Sequence, residues 1–141
     1  MSNTKTMLAA LALGAAVAFA GPAFAEKMKA TLDGASEVPA NTSAGKGTAD
    51  IDYDAATKKL TWKLTYSGLS GPATAAHFHG PAEAGKNAGV AVAIPNATSS
   101  PAEGSATLTD AQAADLAAGK YYVNVHTAAN PGGEIRGQVT K

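Results

Sequence analysis

The chain has 141 residues, with 11 lysines and arginines against 11 aspartates and glutamates, no cysteine, and 45% hydrophobic residues. This length allows one domain, and the balanced charge gives no electrostatic reason to expect a nucleic-acid or anionic-membrane partner. The lack of cysteine excludes disulfides, thiol catalysis and cysteine zinc sites.

Residues 1–25 read as a secretory signal peptide, set apart before the fold is considered. Lys5 gives the positive start, Met7 to Ala20 is an apolar run, and Ala23-Phe24-Ala25 is an A-x-A cleavage site before Glu26. The run is shorter than the ~20 residues of a spanning helix and stops at Gly21-Pro22, so cleavage is expected rather than anchoring. The mature chain of 116 residues, with a net charge of −1, is expected in a periplasm or outside the cell and free of the membrane. The alanine-rich leader has a bacterial character, in which case the sequons Asn41-Thr42-Ser43 and Asn96-Ala97-Thr98 carry no glycan.

Residues 26–141 are expected to form one domain with a thin core of small side chains. Period-2 alternation between turn residues predicts strands at Met28 to Leu32, Thr48 to Asp54 and Lys59 to Tyr66. The last two form a hairpin, with Ala49, Ile51, Tyr53, Leu60, Trp62, Leu64 and Tyr66 facing inward. Further strands are predicted at Thr74 to His79, Val90 to Ile94 and Ser105 to Leu108. Thr109-Asp110-Ala111-Gln112 is a capping box opening a short alanine-rich helix that ends at Gly119. Strands at Tyr121 to His126 and Glu134 to Val139 follow. About eight short strands and one short helix predict an all-β fold, an antiparallel β-sandwich of immunoglobulin-like or superoxide-dismutase-like type.

The mature chain has three histidines, all in strand contexts: His77 and His79 in Ala-His-Phe-His-Gly-Pro, and His126 in Tyr-Tyr-Val-Asn-Val-His-Thr. Alternation puts His77 and His79 on one strand face with Cβ atoms roughly 7 Å apart, close enough for both imidazoles to reach one ion. If the strand of His126 adjoins theirs, its ring completes a three-histidine metal site. The competing reading is of strand histidines that are solvated or hydrogen-bonded and hold no ion.

Other constellations are weaker. Asp50, Asp52 and Asp54 imitate the opening of a calcium loop, but Ala55 and Thr61 stand where glycine and glutamate are needed. They read as the solvated face of the hairpin, with Lys59 and Lys63 as cross-strand partners. Gly45-Lys46-Gly47-Thr48 lacks the first glycine and the hydroxyl residue of a phosphate loop. Glu134 and Arg136 share a strand face and are read as a salt bridge, as an outer shell to a histidine, or as surface charge. Trp62 reads as core.

Gly34-Ala35-Ser36-Glu37-Val38-Pro39 resembles the opening motif of the CHRD family, the domain named after chordin. The resemblance continues through Gly68-Leu69-Ser70-Gly71, Ala76-His77-Phe78-His79-Gly80-Pro81-Ala82, the turn at Leu116 to Gly119, Tyr122-Val123-Asn124-Val125-His126-Thr127, and Asn130-Pro131-Gly132-Gly133-Glu134-Ile135-Arg136-Gly137-Gln138. Ala40 departs from it, standing where the family often has a second proline. The resemblance implies a β-sandwich and an exported protein. The His-x-His pair followed by a later histidine also resembles the copper side of the copper/zinc superoxide dismutases, an analogy that does not by itself give function.

Two function classes follow. One is an exported metal-binding protein with His77, His79 and His126 as ligands to copper, zinc being the alternative; superoxide-dismutase-like redox chemistry is its enzymatic option. The other is a non-enzymatic extracellular binding or structural module with no cofactor. The sequence identifies no catalytic residue and no protein partner.

Overall fold

A computed structural model describes residues 25–141 together with Gly14; apart from Gly14 and Ala25, the expected leader lies outside the described residues. Eight strands and one helix follow in the order β1 (Glu26–Asp33), β2 (Lys46–Asp54), β3 (Lys59–Ser67), β4 (Ala73–His79), β5 (Val90–Ile94), β6 (Ala102–Thr107), α1 (Asp110–Ala117), β7 (Tyr122–Thr127) and β8 (Ile135–Gln138). Alternation decides which side chains enter the core. On the first three strands these are Met28, Ala30 and Leu32, then Ala49, Ile51 and Tyr53, then Leu60, Trp62 and Leu64. The intervening lysines, threonines and aspartates face water.

All eight strands are antiparallel and hydrogen-bonded into one sheet in the order β5-β4-β7-β8-β1-β2-β3-β6. The expected all-β antiparallel fold with eight strands and one helix is present. Its layers are two halves of a single, nearly closed sheet, since the edge strands β5 and β6 also approach each other. The joint between the halves is narrow. Strands β1 and β8 share one registered pair, Asp33 opposite Arg136, supplemented by the bridge between Lys29 and Thr140. Gly137 sits where β8 crosses β1, and a Cβ there would strike the Thr31 carbonyl, so no other residue allows this approach.

Between the halves, Trp62 of β3 meets Phe78 of β4 edge to face, with ring centroids 5.2 Å apart. Ala76, Val123, Val125 and Ile135 complete the wall opposite β1–β3. This is the contact that one apolar face of each half demands. The capping box forms as read: the Gln112 amide N–H donates to Thr109 Oγ1, and the Thr109 N–H donates to Gln112 Oε1. Helix α1 buries Leu116, and its chain reverses at Gly119, whose φ of 74° suits glycine.

Most strands differ from the sequence reading by a residue or two at their ends, and two differences have a structural reason. Strand β6 begins at Ala102, because its small residues carry no hydrophobic alternation and their strand conformation comes from pairing with Lys59–Leu64 of β3. Glu134 lies outside β8 and is fully buried in the preceding loop.

The aspartate row lies on the outer face of β2. Asp50 and Asp54 stand opposite Lys63 and Lys59 in register, but the ion pair at this row comes from the other neighbour, Lys27 Nζ to Asp52 at 2.8 Å. Asp54 instead accepts from the Ala56 N–H at 2.9 Å and so shapes the hairpin turn. Exposed pairs of this kind contribute little. Asp52→Asn is expected to change stability by no more than about 0.5 kcal/mol, and millimolar calcium to leave the melting temperature of both proteins unmoved. Thermal melts with and without calcium check this, and a shift confined to the original protein would reveal a calcium site.

Candidate metal centre

His77 and His79 project from the outer face of β4, opposite the buried Ala76 and Phe78. Strand β7 lies beside β4, pairing Ala75 with His126, His77 with Asn124 and His79 with Tyr122. Its inward residues Val123 and Val125 fix the phase, so Tyr122, Asn124 and His126 all face outward beside the two histidines. The strand of His126 does adjoin that of the His-x-His pair, the condition the sequence left open, and one nitrogen from each of the three rings lies within 4.8 Å of the others.

The rings are held, and their holders decide which nitrogen is free. His79 Nδ1–H donates to the Ala88 carbonyl at 2.9 Å, and His126 Nδ1–H donates to the Pro131 carbonyl at 2.8 Å. Each neutral ring therefore keeps its lone pair on Nε2, the arrangement usual in metal-binding histidines. His77 Nδ1 lies 3.0 Å from His126 Nε2, a hydrogen bond when it carries a proton. Two nitrogens about 3.0–3.4 Å apart are also what a common ion with bonds of about 2.0–2.1 Å requires. Burial pushes the pKa of His77 and His79 below the ordinary histidine value, with neighbouring rings adding to the effect, so both are neutral and able to donate lone pairs at neutral pH.

Two loops supply the orienting carbonyls, and a charged residue anchors each. Arg136, almost fully buried, donates from Nη1 to Asn87 Oδ1 at 2.8 Å and from Nη2 to the Lys86 carbonyl. Its guanidinium lies 3.5 Å from the centre of the Tyr122 ring, which stacks in turn on His79 with centroids 4.8 Å apart and planes 2° from parallel. Arg136 thus fixes the loop 80–89, whose Ala88 carbonyl holds His79.

Glu134 does the same for His126. Its carboxylate accepts from Ser43 Oγ at 2.9 Å, the Ser70 N–H at 2.8 Å, Thr127 Oγ1 at 2.9 Å and Asn130 Nδ2 at 3.0 Å, and also from Ser70 Oγ. Burial pushes this carboxyl up, but the donors outweigh it and bring its pKa down to about 2. Through Thr127 and Asn130 it orders the turn that presents the Pro131 carbonyl. Neither Glu134 nor Arg136 hydrogen-bonds a histidine ring; each reaches the cluster through a loop.

Two residues at the site escaped the sequence reading. Asn124 Oδ1 lies 2.9 Å from His79 Nε2, and the period-2 phase of β7 already put Asn124 on the histidine face. Glu37 is buried, its Oε1 has no hydrogen-bond partner among the described residues, and burial pushes its carboxyl up to about 7 against the pull of Arg136 and the Val38 N–H. It lies in a loop without periodicity, where its only signal was its place in the opening family motif.

The low pKa of Glu134 has a consequence for stability. An unfolded glutamate takes up its proton near 4.5, whereas the folded one resists down to about 2, so the contribution of Glu134 is complete above 4.5 and lost as pH falls toward 2. Glu134→Gln should abolish this part of the acid dependence. It should also destabilise the fold at neutral pH by about 1–3 kcal/mol, because an amide NH2 then faces donors. Urea unfolding of both proteins between pH 2 and 7 measures the difference, which should narrow as the pH falls.

The model of the CHRD domain family matches residues 28–139. No curated protein and no solved structure gives a significant match. The family match spans β1 to the residue after β8 and includes the loops of Glu37, Ser70 and Asn130, the histidines and the Glu134–Gln138 segment, so this chain belongs to the CHRD domain family.

Proposed function

We propose that this protein is exported and binds one transition-metal ion, copper ahead of zinc, through His77, His79 and His126. The observation that carries the reading is the convergence of three ring nitrogens within 4.8 Å, combined with the anchoring of two rings at Nδ1 by backbone carbonyls. Three neutral imidazoles suit Cu(II) and Zn(II), and the general affinity order places copper above zinc. Met28, the one methionine of the expected mature chain, is buried on the core face of β1, which argues against a thioether site for Cu(I). Export is supported by the leader pattern ending at Ala25.

A second reading has its own support. His77 Nδ1, His79 Nδ1 and both nitrogens of His126 already have partners without an ion. Such a cluster also serves a non-enzymatic module in which the histidines tie β4, β7 and their loops together.

Melting curves of the original protein and of His126→Ala, each with and without copper and purified without a histidine tag, separate the two. Metal binding predicts stabilisation by mass action of about 2.7 kcal/mol when free copper is a hundredfold above its dissociation constant, most of it lost in the variant. Affinity should fall as the pH drops into the range where His77 and His79 take up protons, which burial places below the ordinary imidazole value of ~6.5. Unmoved curves, or equal shifts in both proteins, support the module instead. N-terminal sequencing of the exported product is expected to begin at Glu26, and a cytoplasmic product retaining Met1 would contradict export.

A further inference from the structure

His79 has its Nδ1–H committed to Ala88, so Nε2 is the nitrogen it can offer to an ion, and Asn124 stands over that atom at 2.9 Å. The Asn124 amide must draw back before an ion can bind there. Its Nδ2 has only a long contact of 3.4 Å with the Gly132 carbonyl, so it is poorly satisfied where it stands. Beside it lies Glu37 Oε1, a buried acceptor with no partner. The two atoms meet over Gly133, where a Cβ would collide with both Glu37 Oε1 and Asn124 Nδ2; the residue has a φ of 129° that only glycine adopts comfortably. The backbone has thus left room for a carboxylate and an amide to close on each other next to the cluster.

We propose that Glu37 is a positioning residue for the metal centre: its Oε1 receives the Asn124 amide as that side chain leaves His79 Nε2, lowering the cost of opening the site to an ion. The atom that leaves is Asn124 Oδ1, an acceptor facing the unprotonated Nε2, and the atom that gains a partner is Nδ2. The nearest opposite charge, Arg136, is held by Asn87, the Lys86 carbonyl and Tyr122, so no ion pair takes up the Glu37 oxygen in its place. The inference rests on the metal-binding reading above and adds to it a residue outside the ligand set. A buried acceptor with no partner is costly to keep, and a role that satisfies it on binding accounts for its presence.

The test compares zinc affinity in the original protein, Glu37→Gln, which keeps an oxygen acceptor, and Glu37→Leu, which fills the space without one. It is read together with the Asn124 side-chain NH2 signal in nitrogen–proton spectra. Glu37→Gln is expected to bind within about twofold of the original protein and Glu37→Leu about tenfold or more weakly, the usual cost of losing an outer partner of a metal ligand. The NH2 signal should move on zinc binding in the first two proteins. A folded Glu37→Leu protein of unchanged affinity, or an NH2 signal that zinc leaves in place, overturns the role of Glu37 and leaves the three-histidine site standing. If Glu37→Leu does not fold, the signal in the original protein decides alone. If the original protein binds neither zinc nor copper, the metal reading fails, and the role of Glu37 fails with it.

Discussion

A buried carboxylate with no cation beside it among the described residues holds the loop end of this domain together. Glu134 is fully buried and survives as an anion because hydroxyls, an amide and a backbone N–H from three separate loops converge on it. Burying a lone charge is prohibitive without such donors. Their cooperation therefore makes the positions of residues 43, 70, 127 and 130 mutually dependent. Because Thr127 ends β7 and Glu134 stands just before β8, the cage fixes the turn between two strands that carry His126 and Arg136. A cationic partner would satisfy the charge but only from one direction. Several neutral donors instead fix the carboxylate in orientation as well as in place.

The two halves of the sheet use the same alternation for opposite purposes. On β1–β3 and β6 the outward residues are solvated, and one row across the strands reads Lys29, Asp50, Lys63, Glu103, with signs alternating at every step. Each charge has opposite neighbours, which suits a surface of little energetic weight. On β4, β7 and β8 the outward residues are His77, His79, Tyr122, Asn124, His126 and Arg136, and loops cover most of them. One half is a scaffold facing water. The other carries a second, polar interior on its outer side, and this interior is the candidate site.

Much of this was legible in the sequence because the period-2 pattern is strict where one strand face is buried. The hairpin of β2 and β3, the capping box at Thr109 and the shared face of His77 and His79 follow from side-chain spacing alone. Strand β6 was located only in part, because Ala102, Gly104 and Ala106 offer no hydrophobic contrast to read. The order of the strands, with its single registered pair between Asp33 and Arg136, depends on contacts between residues 103 positions apart, which local pattern does not encode. The carbonyls of Ala88 and Pro131 left no trace either, since every residue has a carbonyl and only the fold says which one faces a ring. Glu134 was visible as a charge on a strand-like segment, but its cage is assembled from serines and an asparagine that read as ordinary loop residues.

The hydrogen bonds already present among the histidines bear on affinity less than their number suggests. An ion entering the cluster displaces the His77–His126 contact, a hydrogen bond worth about 0.5–1.5 kcal/mol in net terms, and moves Asn124 Oδ1 away from His79 Nε2, where two acceptors face each other. Structural metal sites of imidazole and thiolate bind with apparent free energies of about 10–16 kcal/mol, so displacement costs of this size would weaken an ion's hold without preventing it. What the metal-free contacts do set is geometry. The bonds from Ala88 and Pro131 lie on the far side of the rings and need not break, so His79 and His126 keep their orientation through binding. The Asn124 amide has to move, and the three ligand nitrogens, which lie within 4.8 Å of one another, have to draw in to the closer spacing that bonds of about 2.0–2.1 Å to one ion require. Because backbone carbonyls already orient two of the rings, that closing starts from held side chains, and the holding comes from the two loops anchored by Arg136 and Glu134.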